Sequence, residues 1–219
     1  MSSFPITPTS TTGSSGSLSS LPDVIACGAL AGPIRDIAAR RGWKLAVHSL
    51  SASLHNSPRE IAPAAERLAL ELKASGARVA LAYADCGSYG ALDELCERLG
   101  LARLPGLHCY DVFAGPDRIK AAFETEPGTY LLTDFLVESF AHSVLEPLGL
   151  DRHPELWTDY FGHYRRLVWL TQSEPPSPAM AAKAEEVRAR FGLPMTVVET
   201  GTVRLERELE KLLGRSGPR

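Results

Sequence analysis

The sequence predicts an α/β protein with a single doubly wound, mostly parallel sheet and helices on both faces. Three observations carry that reading. Short apolar runs alternate with segments of helical periodicity along the chain behind Pro22. The stretch "VALAYA" (79–84) is apolar on both faces, as a buried parallel strand is. At 219 residues the chain is long enough for one well-packed domain.

The elements follow in order. "DVIAC" (23–27) reads as a first strand, followed by a short helix around Pro33–Arg41, and "WKLAVHSL" (43–50) as a second strand. In "SPRE" (57–60) the Ser and Glu have capping-box spacing, with Pro at the first helical position. Ile61, Ala65, Leu68 and Leu72 then hold one helical face until Gly76, and Pro63 should kink that helix or delay its start. A third strand spans 78–84, and Leu92, Leu95, Cys96 and Leu99 make the inner stripe of the next helix. Further strands are expected at 101–104, 129–133, 167–171 and 195–199, with helices at 116–126, 135–147, 178–191 and 202–213. The domain is expected over 23–214. Residues 1–22 are uncharged and rich in Ser, Thr, Pro and Gly, and read as a disordered tail, as do 215–219.

Composition narrows the function classes. A net charge of −3 gives no basic face for a nucleic acid. No apolar run approaches the ~18 residues of a membrane span. The N-terminal stretch lacks the basic start and apolar middle of a signal peptide, which predicts a cytoplasmic setting. There cysteines more often serve metals or catalysis than disulfides. Nucleotide and hydrolase signatures (G-x-G-x-x-G, G-x-x-x-x-G-K-S/T, G-x-S-x-G) are missing.

Three cysteines stand close behind apolar runs, in "VIACGALAG", "LAYADCGSYG" and "LPGLHCYDVFAG". Ligands of open parallel sheets bind beyond the carboxyl ends of the strands. Cys27, His55, Cys86 and Cys109 would therefore meet at one edge, presented by four successive connections. The cysteine separations (86 − 27 = 59 and 109 − 86 = 23) match no zinc-finger spacing, so this inference rests on topology. Thiolates suit zinc and iron–sulfur clusters, and three protein ligands with an open position are compatible with either. The competing reading is that these are small buried core residues.

Other candidates are weighed the same way. Cys96 belongs to an apolar stripe and reads as core, and His48 inside a strand reads as structural. His55, in "SLHNSP", could reach the edge as a metal ligand or, with Asn56, as a substrate contact, against the competing reading of ordinary capping or surface duty. His108 and Cys109 are neighbours, so one would bind metal while the other faces substrate. Asp85 and His108 are the catalytic candidates. Asp85 could support a metal-bound histidine or hold its own turn. Tyr110 and His163 are further substrate contacts, and His153, Tyr160 and His163 could form a wall or lid. Asp134 is expected to cap the helix that follows it.

"IACGALA", "LHN.P..I.PA", "YADCG..GALD", "LPG.HCY.VFAGP", "YLLTDFL" and "GLDRHPEL...YFGHYRRLVWL" together resemble the DUF1638 family, from about Val24 to Gly201. After "HCY" this chain has Asp111 where relatives are expected to carry Glu, and "ALAGPI" stands where a more polar "ALAREI" type is expected. Neither departure touches a proposed ligand. The family is one of unknown function. What the resemblance implies is a pathway, corrinoid-dependent methyl transfer. Two function classes follow. The first is a small metalloprotein that activates a thiol substrate. The second is a non-catalytic accessory that docks on a corrinoid protein or corrinoid methyltransferase.

Overall fold

The computed structural model describes residues 21–215, and all seven expected strands form within them. β1 (Asp23–Ala26), β2 (Val47–Ser49), β3 (Val79–Ala82) and β4 (Ala102–Arg103) make a parallel sheet in the order β2-β1-β3-β4. β5 (Thr129–Thr133), β6 (Arg166–Thr171) and β7 (Met195–Glu199) make a second parallel sheet in chain order. The α/β class and the parallel pairing are as the sequence predicts, but the expected single sheet is two. The break has a local cause. β4 is two residues long, and Leu104-Pro105-Gly106 follows it at once. Proline cannot donate to a ladder, so the chain leaves the sheet there.

The helices are α1 (Gly28–Arg40), α2 (Ile61–Ala74), α3 (Ala91–Leu99), α4 (Cys109–Ala114), α5 (Pro116–Thr125), α6 (Asp134–Phe140), α7 (Trp157–Phe161), α8 (Pro178–Phe191) and α9 (Val203–Leu212). α1 begins at Gly28, ahead of the expected Pro33. Gly28 reads as a breaker in sequence, yet here it permits close packing. A Cβ at this position would lie 3.2 Å from both Ala52 Cβ and Phe135 Cζ. Ser57 forms no side-chain cap, so the expected capping box is absent. Pro58–Glu60 instead make one 3-10 turn, and α2 starts at Ile61. Pro63 falls in the first turn of α2, where a missing N–H costs no intrahelical bond. The helix expected to run to 147 passes from α6 into a π turn at Ala141–Leu145.

Each sheet has its own core. Val24, Ile25, Leu81 and Tyr83 of the first pack with Leu30, Ile34, Ile61, Leu92 and Leu95. Leu132, Leu167 and Trp169 of the second pack with Val137, Phe140, Phe161 and Val187. The chain then returns, because Leu205, Leu209 and Leu213 are buried in the first core. The Tyr110 hydroxyl donates to the Leu131 carbonyl at 3.3 Å and ties α4 to β5.

The expected N-terminal tail lies outside the described residues up to position 20, as do residues 216–219 of the expected C-terminal one. Both ends of the described chain are packed where a tail is expected. Leu21 lies against the first core, and the Arg215 guanidinium sits 5.2 Å over the Trp43 ring.

In the first sheet β1 and β3 are neighbours whose following strands lie on opposite sides, β2 outside β1 and β4 outside β3. This is the point at which an open sheet leaves a crevice beyond its carboxyl ends. Cys27 follows β1 and the Cys86 turn follows β3, so the two cysteines flank it.

Candidate functional site

Cys27 is the residue on which α1 starts. Its backbone is extended (φ −68°, ψ 156°), and its carbonyl accepts the N–H groups of Leu30 and Ala31, both at 3.0 Å. Cys86 sits in the turn Asp85–Gly90 with φ 49°, and Tyr89 in the same turn has φ 52°. Two non-glycine residues in the left-handed region cost free energy that the surroundings must offset, a feature concentrated at functional sites. The turn is held by its neighbours. The Asp85 N–H donates to the Gly106 carbonyl (3.0 Å) and the Cys86 N–H to that of Leu107 (2.7 Å). Cys109 opens α4, and the Asp111 carboxylate accepts the N–H groups of Leu107 (2.7 Å) and His108 (3.2 Å) in front of it.

All three thiols are buried. Cys27 has no exposed surface, whereas Cys86 and Cys109 each keep 8%. Burial pushes the Cys27 thiol up to about 12, with the Cys86 charge adding to the rise and the N–H groups of Leu30 and Ala29 opposing it. Burial takes Cys86 up to about 11, against the N–H of Cys109. Cys109 is raised well above the ordinary thiol value by burial, then by Cys27 and Cys86. Cys27 thus feels the charge of Cys86, and Cys109 that of both. Without a cation they are neutral thiols at neutral pH.

Tyr83 joins them, a residue that the sequence reading passed over as strand core. It is fully buried directly behind β3. Burial and then the charges of Cys27, Cys86 and Cys109 push its phenol far above the usual range. Its hydroxyl has no hydrogen-bond partner. The only sequence signal was a tyrosine in an otherwise aliphatic run.

His55 stacks on Tyr83 with ring centroids 5.9 Å apart and planes 17° from parallel. Its Nδ1 lies 3.1 Å from the Ala52 carbonyl, which fixes Nδ1–H as donor and leaves the Nε2 lone pair free. His55 is exposed at its outer side. Its ring is nevertheless crowded enough for desolvation to lower its pKa, with the His108 charge acting in the same sense. His108 is exposed and packs edge-on to Tyr110 at 6.3 Å.

The remaining predicted residues have other partners or lie elsewhere. Asp85 holds its own turn, accepting from Ser88 Oγ (2.8 Å), Gly90 N (3.0 Å) and Tyr89 N (3.1 Å). Burial raises its pKa, but the hydrogen bonds from Gly90, Ser88, Tyr89 and Gly87 outweigh that and hold it below the ordinary value. Tyr110 is spent on the Leu131 carbonyl, and Asn56 is exposed at the end of the His55 turn. His163 is not brought to the cysteines. It lies by Gly128, ahead of β5 and β6, at the amino edge of the second sheet. Phe135, which meets Gly28, is at the carboxyl edge of that sheet. His163 is therefore not part of a wall or lid over the cysteines, as it was expected to be with His153 and Tyr160. Asp134 is not the cap it was expected to be: Thr133 caps α6 through Leu136 N, and the Asp134 carboxylate instead accepts from Trp169 Nε1 (2.8 Å) and Gln172 N (2.9 Å). Cys96 is buried beside Leu92 and Leu95, as expected of core.

A family model described as a protein of unknown function, DUF1638, matches residues 49–209, more than half of the chain. The chain belongs to the DUF1638 family. Membership carries kinship and no activity. The DUF1638 match includes His55, Tyr83, Cys86 and Cys109, whereas Cys27 lies ahead of it. No curated protein and no solved structure matches the chain.

This DUF1638 chain therefore brings together three thiols, one unpartnered phenol and two rim histidines. Among the described residues, no three His, Cys, Asp or Glu side chains already stand in a metal-holding arrangement. No helix among them is long and apolar enough to cross a membrane.

Proposed function

We propose that the chain is a metal-binding protein whose Cys27, Cys86 and Cys109 hold zinc or an iron–sulfur cluster. The observation that carries the reading is that three buried thiols stand in the connections behind β1, β3 and β4, around the switch point of the first sheet. The donor set fits such a group. Three soft sulfurs are offered with no hard carboxylate in the set, and backbone N–H groups at the starts of α1 and α4 oppose the rise that burial gives the Cys27 and Cys109 thiols. Those N–H groups stabilise thiolates better than thiols. A bound cation would reverse the upward pull of burial, since coordinating thiols are deprotonated outright. Among the described residues no three such side chains stand close enough to hold a metal, so the reading requires the three sulfurs to draw together.

Cys27, Cys86 and Cys109 would hold the group, and His55 would face the incoming ligand, since its ring lies on the solvent side of Tyr83. When bound, the metal would lower the pKa of a substrate thiol and ready it for alkyl transfer, the chemistry that the family resemblance implies with a corrinoid protein as donor. Asp85 is assigned to the turn and no proton transfer is given to it.

The test is elemental analysis and an absorption spectrum of anaerobically purified protein. One zinc per chain, or iron with labile sulfide, supports the reading. Protein that is folded, reduced and free of metal, and that takes up none when zinc or iron and sulfide are supplied, refutes it.

A further inference from the structure

The strand "RLVWLT" (166–171) alternates its side chains across the second sheet. Leu167 and Trp169 enter the core shared with α6 and α8. Val168 and Leu170 take the other face, where α5 contributes Ile119 against Leu131. Parallel sheets are ordinarily covered on both faces, yet on this face the cover stops short of β7. The gap between α5 and β7 is a cavity of about 300 Å³, floored by Leu131, Val168, Leu170 and Val198. The charged side chains of its lining are Arg118 and Arg166, and no Asp or Glu joins them. Arg166 is half-buried. Its Nε donates to Thr129 Oγ1 and its Nη2 to the Ala122 carbonyl, both at 2.8 Å, so its partners are neutral oxygens. A guanidinium withdrawn from water ordinarily meets a carboxylate, because an unpaired charge there is costly. Among the described residues no carboxylate reaches it, and the exposed Arg118 has no ion pair among them either.

The geometry points to a binding site for an organic anion, its apolar body laid on the sheet and its charged head on Arg166 and Arg118. The inference is independent of the metal-centre reading. The floor offers four aliphatic side chains to the body, and the two arginines are the few polar groups that orient a ligand in such a cavity. A guanidinium forks onto a carboxylate or a phosphate, so either head answers the charge. The volume is about twice the ~150 Å³ of a cavity that takes up benzene, which suits a body of roughly ten carbons. Thr196, exposed on β7, marks the open side of the cavity. Binding is non-covalent.

The experiment titrates the full chain with 2-naphthoate, 2-naphthyl phosphate and the neutral 2-naphthalenemethanol by isothermal titration calorimetry. Wild type is expected to bind at least one anion about tenfold more tightly than the alcohol, the effect of a charge-assisted hydrogen bond. The preferred anion tells a carboxylate ligand from a phosphate. Arg166→Met should cut that affinity about tenfold and leave the alcohol unaffected. Arg118→Ala, at the surface, should cut it about threefold. Thr196→Trp fills the open side, and should abolish binding while the chain unfolds at the same temperature as wild type. Absence of binding to wild type, equal affinity for alcohol and anions, or binding that survives Thr196→Trp overturns the inference. So does an anion affinity that neither arginine variant alters. If Arg166→Met fails to fold, Arg118→Ala decides, and unchanged affinity in that variant overturns the inference. A dimer in sedimentation that Thr196→Trp dissolves also overturns it, because the cavity would then be an interface between copies. None of these outcomes bears on the cysteines.

Discussion

The backbone N–H of Cys86 donates to the carbonyl of Leu107 at 2.7 Å, so a cysteine held at φ 49° is locked to the segment that leads into Cys109. This one bond couples the connection after β3 to the connection after β4. It explains how residues 23 positions apart (109 − 86) come to share one edge.

The left-handed backbone at Cys86 separates stability from binding. Cys86→Gly removes about 1 kcal/mol of backbone strain and loses a small buried group of similar worth. Unfolding by urea should therefore change by no more than ~1 kcal/mol. Metal retention, measured after dialysis, should be largely lost. A glycine variant that keeps its metal would show that Cys86 is only a turn residue.

Cys96 serves as the internal control. It is buried on α3 beside Leu92 and Leu95, away from the switch point. Cys96→Ala should cost on the order of 1 kcal/mol of stability and leave metal content unchanged. Cys86→Ser should strip most of the metal, because a hydroxyl is a poor substitute for a thiolate. Loss of metal in Cys96→Ala would mean that the wrong three cysteines have been chosen.

Asp85 gives a pH signature. Its carboxylate is held below the ordinary value by the Gly90, Ser88 and Tyr89 bonds, in excess of a desolvation that raises it. A carboxylate with a depressed folded pKa contributes stability that is present above the unfolded value of about 4, and that is lost as pH falls through the folded value. Asp85→Asn should cost roughly 1 kcal/mol at pH 7. The gap to wild type should close as denaturation curves are repeated in acid. A gap that stays constant with pH would show that the charge on Asp85 contributes nothing.

How much of this was legible in sequence depends on range. The strands were readable because apolar runs such as 79–84 and 129–133 carry their burial locally, and β5 forms as expected at Thr129–Thr133. The division into two sheets was not, because it turns on β4 stopping after two residues ahead of Pro105. Cys27, Cys86 and Cys109 were legible as strand-end residues once parallel topology was assumed. Tyr83 was not, because an aromatic in a buried strand looks like core until its hydroxyl is found without a partner. His163 was misplaced because a motif-rich stretch says nothing of which sheet edge it occupies.

Asp134 tests the second sheet independently of the cysteines. It accepts the Trp169 indole N–H at 2.8 Å and the Gln172 N–H at 2.9 Å. Asp134→Ala would leave both donors unpaired next to the nearly fully buried Trp169, and should cost about 3 kcal/mol. Asp134→Asn keeps one acceptor and should cost less. Chemical denaturation followed by tryptophan fluorescence reads both. Equal stability of Asp134→Ala and wild type would contradict the role given to this carboxylate.

The central claim is that Cys27, Cys86 and Cys109 share one metal, and the most direct measurement is the X-ray absorption spectrum of the zinc-loaded chain at the zinc edge. Three sulfur neighbours at ~2.3 Å, falling to two in Cys86→Ser, are the expected result. A shell of nitrogen and oxygen alone, or a spectrum that Cys86→Ser leaves unchanged, would contradict it.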